Sequence, residues 1–86
     1  MKIYVISKLN KFFEPNYDVS VENKVIAEKS KAFELFNKLI EESRALFSKD
    51  GVYTEELING SYFEINDADN INGVEIYIEE VEVDCK

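Results

Sequence analysis

The chain has 86 residues, with 18 Asp+Glu against 10 Lys+Arg and a formal net charge of −8. That length suits one domain, residues 1–86, around one small core, and a 45% hydrophobic, 13% aromatic composition is too apolar for a disordered acidic tail. His is absent and Cys85 is the single cysteine, which excludes His-based triads, His metal sites, a disulfide framework and multi-Cys zinc or iron–sulfur sites within one chain.

Residues 2–9 read as a strand, with Ile3 and Val5 on one face and Lys2, Tyr4, Ile6 and Lys8 on the other. The Ile3 and Val5 face is expected to be the core face. Residues 10–16 break the pattern around Pro15, which cannot donate to a ladder, and read as a loop. Phe12 and Phe13 in this loop are expected to fold over the open end of the core, because two exposed Phe side chains together cost solubility. Residues 17–28 read as a second strand, completing a long hairpin.

Ser30 is the expected N-cap of a helix over residues 31–48. Ala32, Phe33, Phe36, Leu39, Ile40 and Phe47 recur at the three–four spacing of one apolar stripe, while Glu34, Lys38, Glu41, Glu42, Arg44 and Lys49 are expected on the solvent side. Lys49 and Gly51 are the stop signal.

Strand patterning returns after the helix. Residues 53–58 read as a short strand leading into an Asn59-Gly60 turn, outside the four main strands. Residues 61–66 place Phe63 and Ile65 on one face and Tyr62 and Glu64 on the other. Residues 67–73 form a polar turn ending in Asn72-Gly73, a hairpin signal. In residues 74–84, Val74, Ile76 and Ile78 share one face and Glu75, Tyr77 and Glu79 the other. The apolar parity then shifts to Val81 and Val83, which a bulge near Glu79 or an exposed strand end would each explain. The expected fold is α+β: a small antiparallel sheet, β-β-α-β-β, with one amphipathic helix packed on one face.

Charge is unevenly placed. Residues 1–50 hold eight acids and nine bases, whereas residues 51–86 hold ten acids and Lys86 as their one base. On the strand reading, Tyr62, Glu64, Glu75, Tyr77 and Glu79 share the sheet face away from the helix, with Tyr4 a further candidate. Tyrosines supply contact area at low entropy cost and carboxylates supply steering, so such a face suits a basic partner surface; the same pattern also serves a solvated face that keeps a small domain soluble. Direct nucleic-acid binding is disfavoured, because phosphates need clustered Lys and Arg.

No constellation names a reaction. Around Asp67 and Asp69 the calcium-loop spacing fails: counted from Asp67, the fifth position is Ile71 and Gly73 is the seventh. Glu55-Glu56 and Glu79-Glu80 are adjacent on strands and point to opposite faces, so neither pair forms a dyad. There is no phosphate-binding glycine loop or nucleophile elbow. No catalytic residue, metal site or cofactor is therefore expected. The longest apolar run, Ile3-Tyr4-Val5-Ile6, is far short of a signal core or membrane span. With a lone cysteine this gives a cytoplasmic expectation and no membrane partner. Cys85, between Asp84 and Lys86, reads as a thiol without a role.

Met1-Lys2-Ile3-Tyr4-Val5-Ile6, Lys31-Ala32-Phe33-Glu34-Leu35-Phe36, Ser61-Tyr62-Phe63-Glu64-Ile65 and Gly73-Val74-Glu75-Ile76-Tyr77-Ile78-Glu79-Glu80-Val81 together resemble small acidic proteins of phages and mobile elements of low-GC bacteria. Some similar proteins are anti-CRISPR proteins, which bind a CRISPR effector nuclease and block its DNA-recognition surface. The resemblance implies a non-enzymatic, phage-encoded inhibitor of host defence. It would act in the host cytoplasm on a basic nucleic-acid-binding protein such as a CRISPR effector. The alternatives are an oligomeric small-molecule or nucleotide-binding module and a phage accessory protein. A domain this small also admits a homodimer that covers the sheet or pairs an edge.

Overall fold

The computed structural model describes residues 1–14, 17–49 and 51–84. Its elements in chain order are β1 (Lys2–Phe12), β2 (Asp18–Ile26), α1 (Lys29–Ser48), β3 (Tyr53–Ile58), β4 (Tyr62–Asp67) and β5 (Gly73–Glu82). All strand pairs are antiparallel, in one sheet of order β2-β1-β5-β4-β3. The fold is α+β with the helix on one face. The element order differs from expectation by one strand: residues 53–58 are a full edge strand, paired with β4 from Tyr53↔Asp67 to Ile58↔Tyr62. Pro15, Asn16 and Cys85, on which part of the loop reading and the thiol reading fall, lie outside the described residues.

The first strand corrects two expectations. It runs to Phe12 rather than ending at Leu9, because β2 and β5 pair with it on both sides; Lys11 stands opposite both Val19 and Gly73. Its faces are also reversed. Tyr4 and Ile6 are buried under α1, whereas Ile3 and Val5 are half-buried on the open face. Both parities of this strand are apolar, so alternation could not choose between them. The choice follows from pairing: Ile6 stands opposite Ile78, and Ile78 belongs to the helix-facing set of β5.

The core comprises Tyr4, Ile6, Ala32, Phe36, Ile40, Phe47, Phe63, Ile65, Val74, Ile76 and Ile78. Phe33 and Leu39 are partly buried against it, and Phe33 meets both Tyr4 and Phe36 edge-on, each at a ring separation of 6.3 Å. Aromatic pairs at such distances add to what burial alone contributes. The Phe12-Phe13 pair divides. Phe12 stacks on Phe47 at 6.1 Å and closes the core, while Phe13 is exposed against Tyr17.

The helix starts at Lys29 with Glu28 as N-cap, without a side-chain cap bond. Ser30 lies inside the first turn and donates to Glu28 Oε1 at 2.9 Å, so it is not the expected cap. Ser43, buried on the apolar stripe, donates to the Leu39 carbonyl, the back-bond that lets a hydroxyl sit in a helix interior. Arg44 is half-buried rather than fully on the solvent side. It lies over the Phe63 ring and pairs with Glu41 and with Glu55 of β3.

Two turns fold the second half. Asn59 and Gly60 both have positive φ, and Ser61 N–H closes the turn on the Ile58 carbonyl; such turns match the twist of a hairpin, and Gly is at ease in them. Between β4 and β5 the left-handed residue is Asn70 rather than Gly73. The Asp67 carboxylate accepts the backbone N–H groups of Ile71 and Asn72, and Asn72 ties the turn to the end of β1 through Phe13 N–H, Glu14 N–H and the Glu14 carbonyl. The β1–β5 register runs unbroken from Lys2↔Glu82 to Lys11↔Gly73. No bulge therefore interrupts it, and Val81 simply lies on the open face. Among the described residues no helix is long and apolar enough to cross a membrane.

Candidate functional site: the open face of the sheet

The face without the helix is assembled by register. Opposed residues of an antiparallel ladder project to the same side. Tyr62 pairs with Tyr77 and Glu64 with Glu75 across β4 and β5, and Glu56 pairs with Glu64 across β3 and β4. Tyr62, Glu64, Glu75, Tyr77 and Glu79 thus share one face. Tyr4 does not join them, since its side chain is in the core with its hydroxyl on Glu80.

Glu56, Glu64 and Glu75 form a transverse row, one carboxylate per strand. Like charges directly opposite destabilise a sheet, and the structure compensates at the inner two. The Tyr62 hydroxyl lies between them, 3.0 Å from Glu64 Oε2 and in a short hydrogen bond to Glu75 Oε1. Asn66 Nδ2 donates to Glu64 at 2.7 Å, and Lys11 pairs with Glu75 at 3.1 Å. The Tyr62 and Tyr77 rings stack beside the row at 6.4 Å and 21°. The hydrogen bond from Tyr62 and the Lys11 charge hold the Glu75 carboxyl below its usual range, against the opposing effect of burial. Burial first, then the two carboxylates, push the Tyr62 phenol above its ordinary value.

The outer members differ. Glu56 and Glu79 are exposed, and Tyr77 is 42% exposed. Sequence reasoning missed Glu56 and Lys11, because one sits on the additional strand and the other in the segment read as a loop. Tertiary placement also divides the acidic half of the chain. Glu55 and Glu80 are spent on the helix side on Arg44 and Tyr4, and Asp67 on its turn. The open-face quartet is therefore Glu56, Glu64, Glu75 and Glu79.

Across the same face towards β2 the surface becomes apolar, through Ile3, Val5, Leu9, Val21 and Val25. On the other side, a hollow of about 380 Å³ between α1 and β1 has Lys8, Glu42, Ser43 and Lys49 among its lining residues. Its charges are mixed and its mouth is wide, unlike a site that converges polar groups on one ligand. Among the described residues no cluster of three or more Asp, Glu, Cys or His side chains could hold a metal ion. Comparison with protein-family models, with curated proteins and with solved structures gave no match.

Proposed function

We propose that this protein is a non-enzymatic binding module whose open sheet face engages a basic, nucleic-acid-binding surface on another protein. The carrying observation is the Glu56–Glu64–Glu75 row, three like charges on adjacent strands with a stacked tyrosine pair beside them. Such opposition lowers stability unless it is compensated, and the Tyr62, Asn66 and Lys11 contacts that compensate it also hold the inner carboxylates in place. Tyr77 offers rigid contact area, and the exposed carboxylates Glu56 and Glu79 steer association with a cationic surface. The specific reading is an inhibitor of a CRISPR effector nuclease, acting in the cytoplasm of the host cell. What supports it is the resemblance to small acidic phage proteins together with the anionic face, which would compete with DNA for the same cations. A nucleotide-binding module is the weaker reading, since phosphates would be repelled from this face.

The test uses guide-loaded CRISPR effector nucleases and a DNA-binding readout. The wild-type protein is expected to displace DNA from one effector type. Glu56→Lys/Glu79→Lys should weaken that inhibition at least about tenfold and leave the Tyr62 network untouched. Glu34→Lys/Glu42→Lys on the helix changes net charge equally and should have little effect. Equal losses in both variants would reduce the face to a general charge effect, and no inhibition of any effector would remove the specific reading.

A further inference from the structure

We propose that β2 is a self-association edge, pairing antiparallel with β2 of a second copy about a two-fold axis at Asn23. The proposal is independent of the acidic face, which lies at the other end of the sheet.

Strand β2 is the outermost strand beyond β1, and eight of its nine residues are exposed. Sheet edges are ordinarily blunted by shortness, proline, bulges or charged side chains. Here the register with β1 is continuous from Tyr4↔Ile26 to Phe12↔Asp18, so no bulge interrupts it. No proline lies within β2, and Val19, Val21 and Val25 are 41%, 59% and 63% exposed. The opposite edge, β3, is shorter and carries Glu55 and Glu56 with no base, so pairing with itself would gather like charge. The two edges are not equivalent: the charges of β3 are all acidic, whereas the central charges of β2 are an acid and a base, Glu22 and Lys24, which can pair across a two-fold axis.

Its sequence is also self-complementary. With Asn23 on the axis, Glu22 stands opposite Lys24 of the second copy, and Lys24 opposite the second Glu22. Val21 stands opposite the second Val25, and the reverse. Opposite-charge and apolar cross-strand pairs both stabilise a ladder. Glu22 and Lys24 share the helix side, while Val21, Asn23 and Val25 share the open side, so these five side chains match face to face, and beyond them Ser20 stands opposite the second Ile26. Neighbouring registers do worse. An axis at Glu22 or at Lys24 opposes that charge to itself. An axis at Val21 pairs Lys24 with Asp18 but leaves Glu22 opposite a serine. Within its own chain Glu22 accepts a hydrogen bond from Asn10 Nδ2 at 3.0 Å and has Lys8 opposite it on β1. Lys24 has no ion-pair partner among the described residues. Asn23 receives the Ser7 hydroxyl on its Oδ1 at 2.7 Å, which leaves its amide N–H groups for the axis. Pairing would join two sheets edge to edge with their open faces on one side and an acidic row at each outer end.

Charge exchange tests both the dimer and its register. By sedimentation equilibrium the wild-type chain should be dimeric at about 100 µM, a concentration that populates even weak specific pairs. Glu22→Lys and Lys24→Glu should each weaken dimerisation at least about tenfold, since each opposes like charges. Circular dichroism should show both folded, as the sites are exposed. Mixing the two variants should restore a heterodimer, as should combining both changes in one chain. A monomeric wild type at that concentration would overturn the proposal. So would a dimer that survives Glu22→Lys unchanged, which the Val21-centred register predicts, or a folded double variant that stays monomeric.

Discussion

Glu64 and Glu75 stand directly opposite one another on adjacent strands and share one phenol, that of Tyr62. A hydroxyl has one proton to give, so it serves two carboxylates in alternation while Lys11 and Asn66 supply the remaining donors. Removing the hydroxyl should leave two facing anions. Tyr62→Phe is expected to cost about 1.5–3 kcal/mol at pH 7 in urea denaturation, as for hydrogen bonds to charged groups.

That cost should depend on pH at both ends. The Glu75 pKa is lowered in the folded state, so its contribution is present above the unfolded value of about 4.3 and is lost as pH falls through the folded one. The Tyr62 pKa is raised, so its contribution is present below about 10 and is lost as pH rises beyond that. The stability difference between wild type and Tyr62→Phe should be widest near neutrality and narrow below about pH 4 and above about pH 10. A difference that stays constant from acid to alkali would show that the phenol does not couple to these carboxylates.

Phe36 is 1% exposed at the centre of the helix–sheet contact. Phe36→Ala should cost about 3–4 kcal/mol, the range for truncating a buried aromatic with partial collapse of the cavity. A loss below about 1 kcal/mol would place this side chain outside the core.

Arg44 joins the helix to the edge strand, with its Nε 2.7 Å from Glu55 Oε2 and its guanidinium over Phe63. A double-mutant cycle on Arg44→Ala and Glu55→Ala should give a coupling of about 0.5–1 kcal/mol that shrinks in high salt, because both groups keep solvent contact. Arg44→Ala alone should cost more than Glu55→Ala, since it also uncovers Phe63.

Gly73 stands opposite Asn66 in the β4–β5 ladder, where an added Cβ would collide with Asn66 Oδ1 and come within 3.1 Å of the Ile65 carbonyl oxygen. A methyl there would displace the Asn66 side chain, which would withdraw its donor from Glu64. Gly73→Ala should therefore destabilise by about 1 kcal/mol, and adding Asn66→Ala should cost less in that background than in the wild type. Additive losses would show that the methyl is accommodated without moving Asn66.

Much of this was legible in the residues. The helix stripe of Ala32, Phe36, Ile40 and Phe47 has a single apolar face, so its period alone located the core side. Over residues 62–65 and 74–79 one parity is apolar and the other is tyrosine or glutamate, so Phe63, Ile65, Val74, Ile76 and Ile78 could only point inward, and Tyr62, Glu64, Glu75, Tyr77 and Glu79 outward. Where one parity is apolar and the other charged, the cost of burying a carboxylate settles the face before any tertiary contact forms.

Other features depended on neighbours. In β1, Ile3, Tyr4, Val5 and Ile6 are apolar on both sides, and only the ladder to Ile78 and the ring of Phe33 put Tyr4 and Ile6 beneath the helix. Residues 53–58 carry Glu55, Glu56 and no strict alternation, and they are a strand because β4 offers a free edge and Arg44 neutralises Glu55. The same placement moved Glu56 onto the acidic face and took Tyr4 off it. Local pattern determined every element whose two faces differ in the cost of burial. Where the faces cost nearly the same, strand pairing and one ion pair across the helix decided, because register is a property of two strands and not of one.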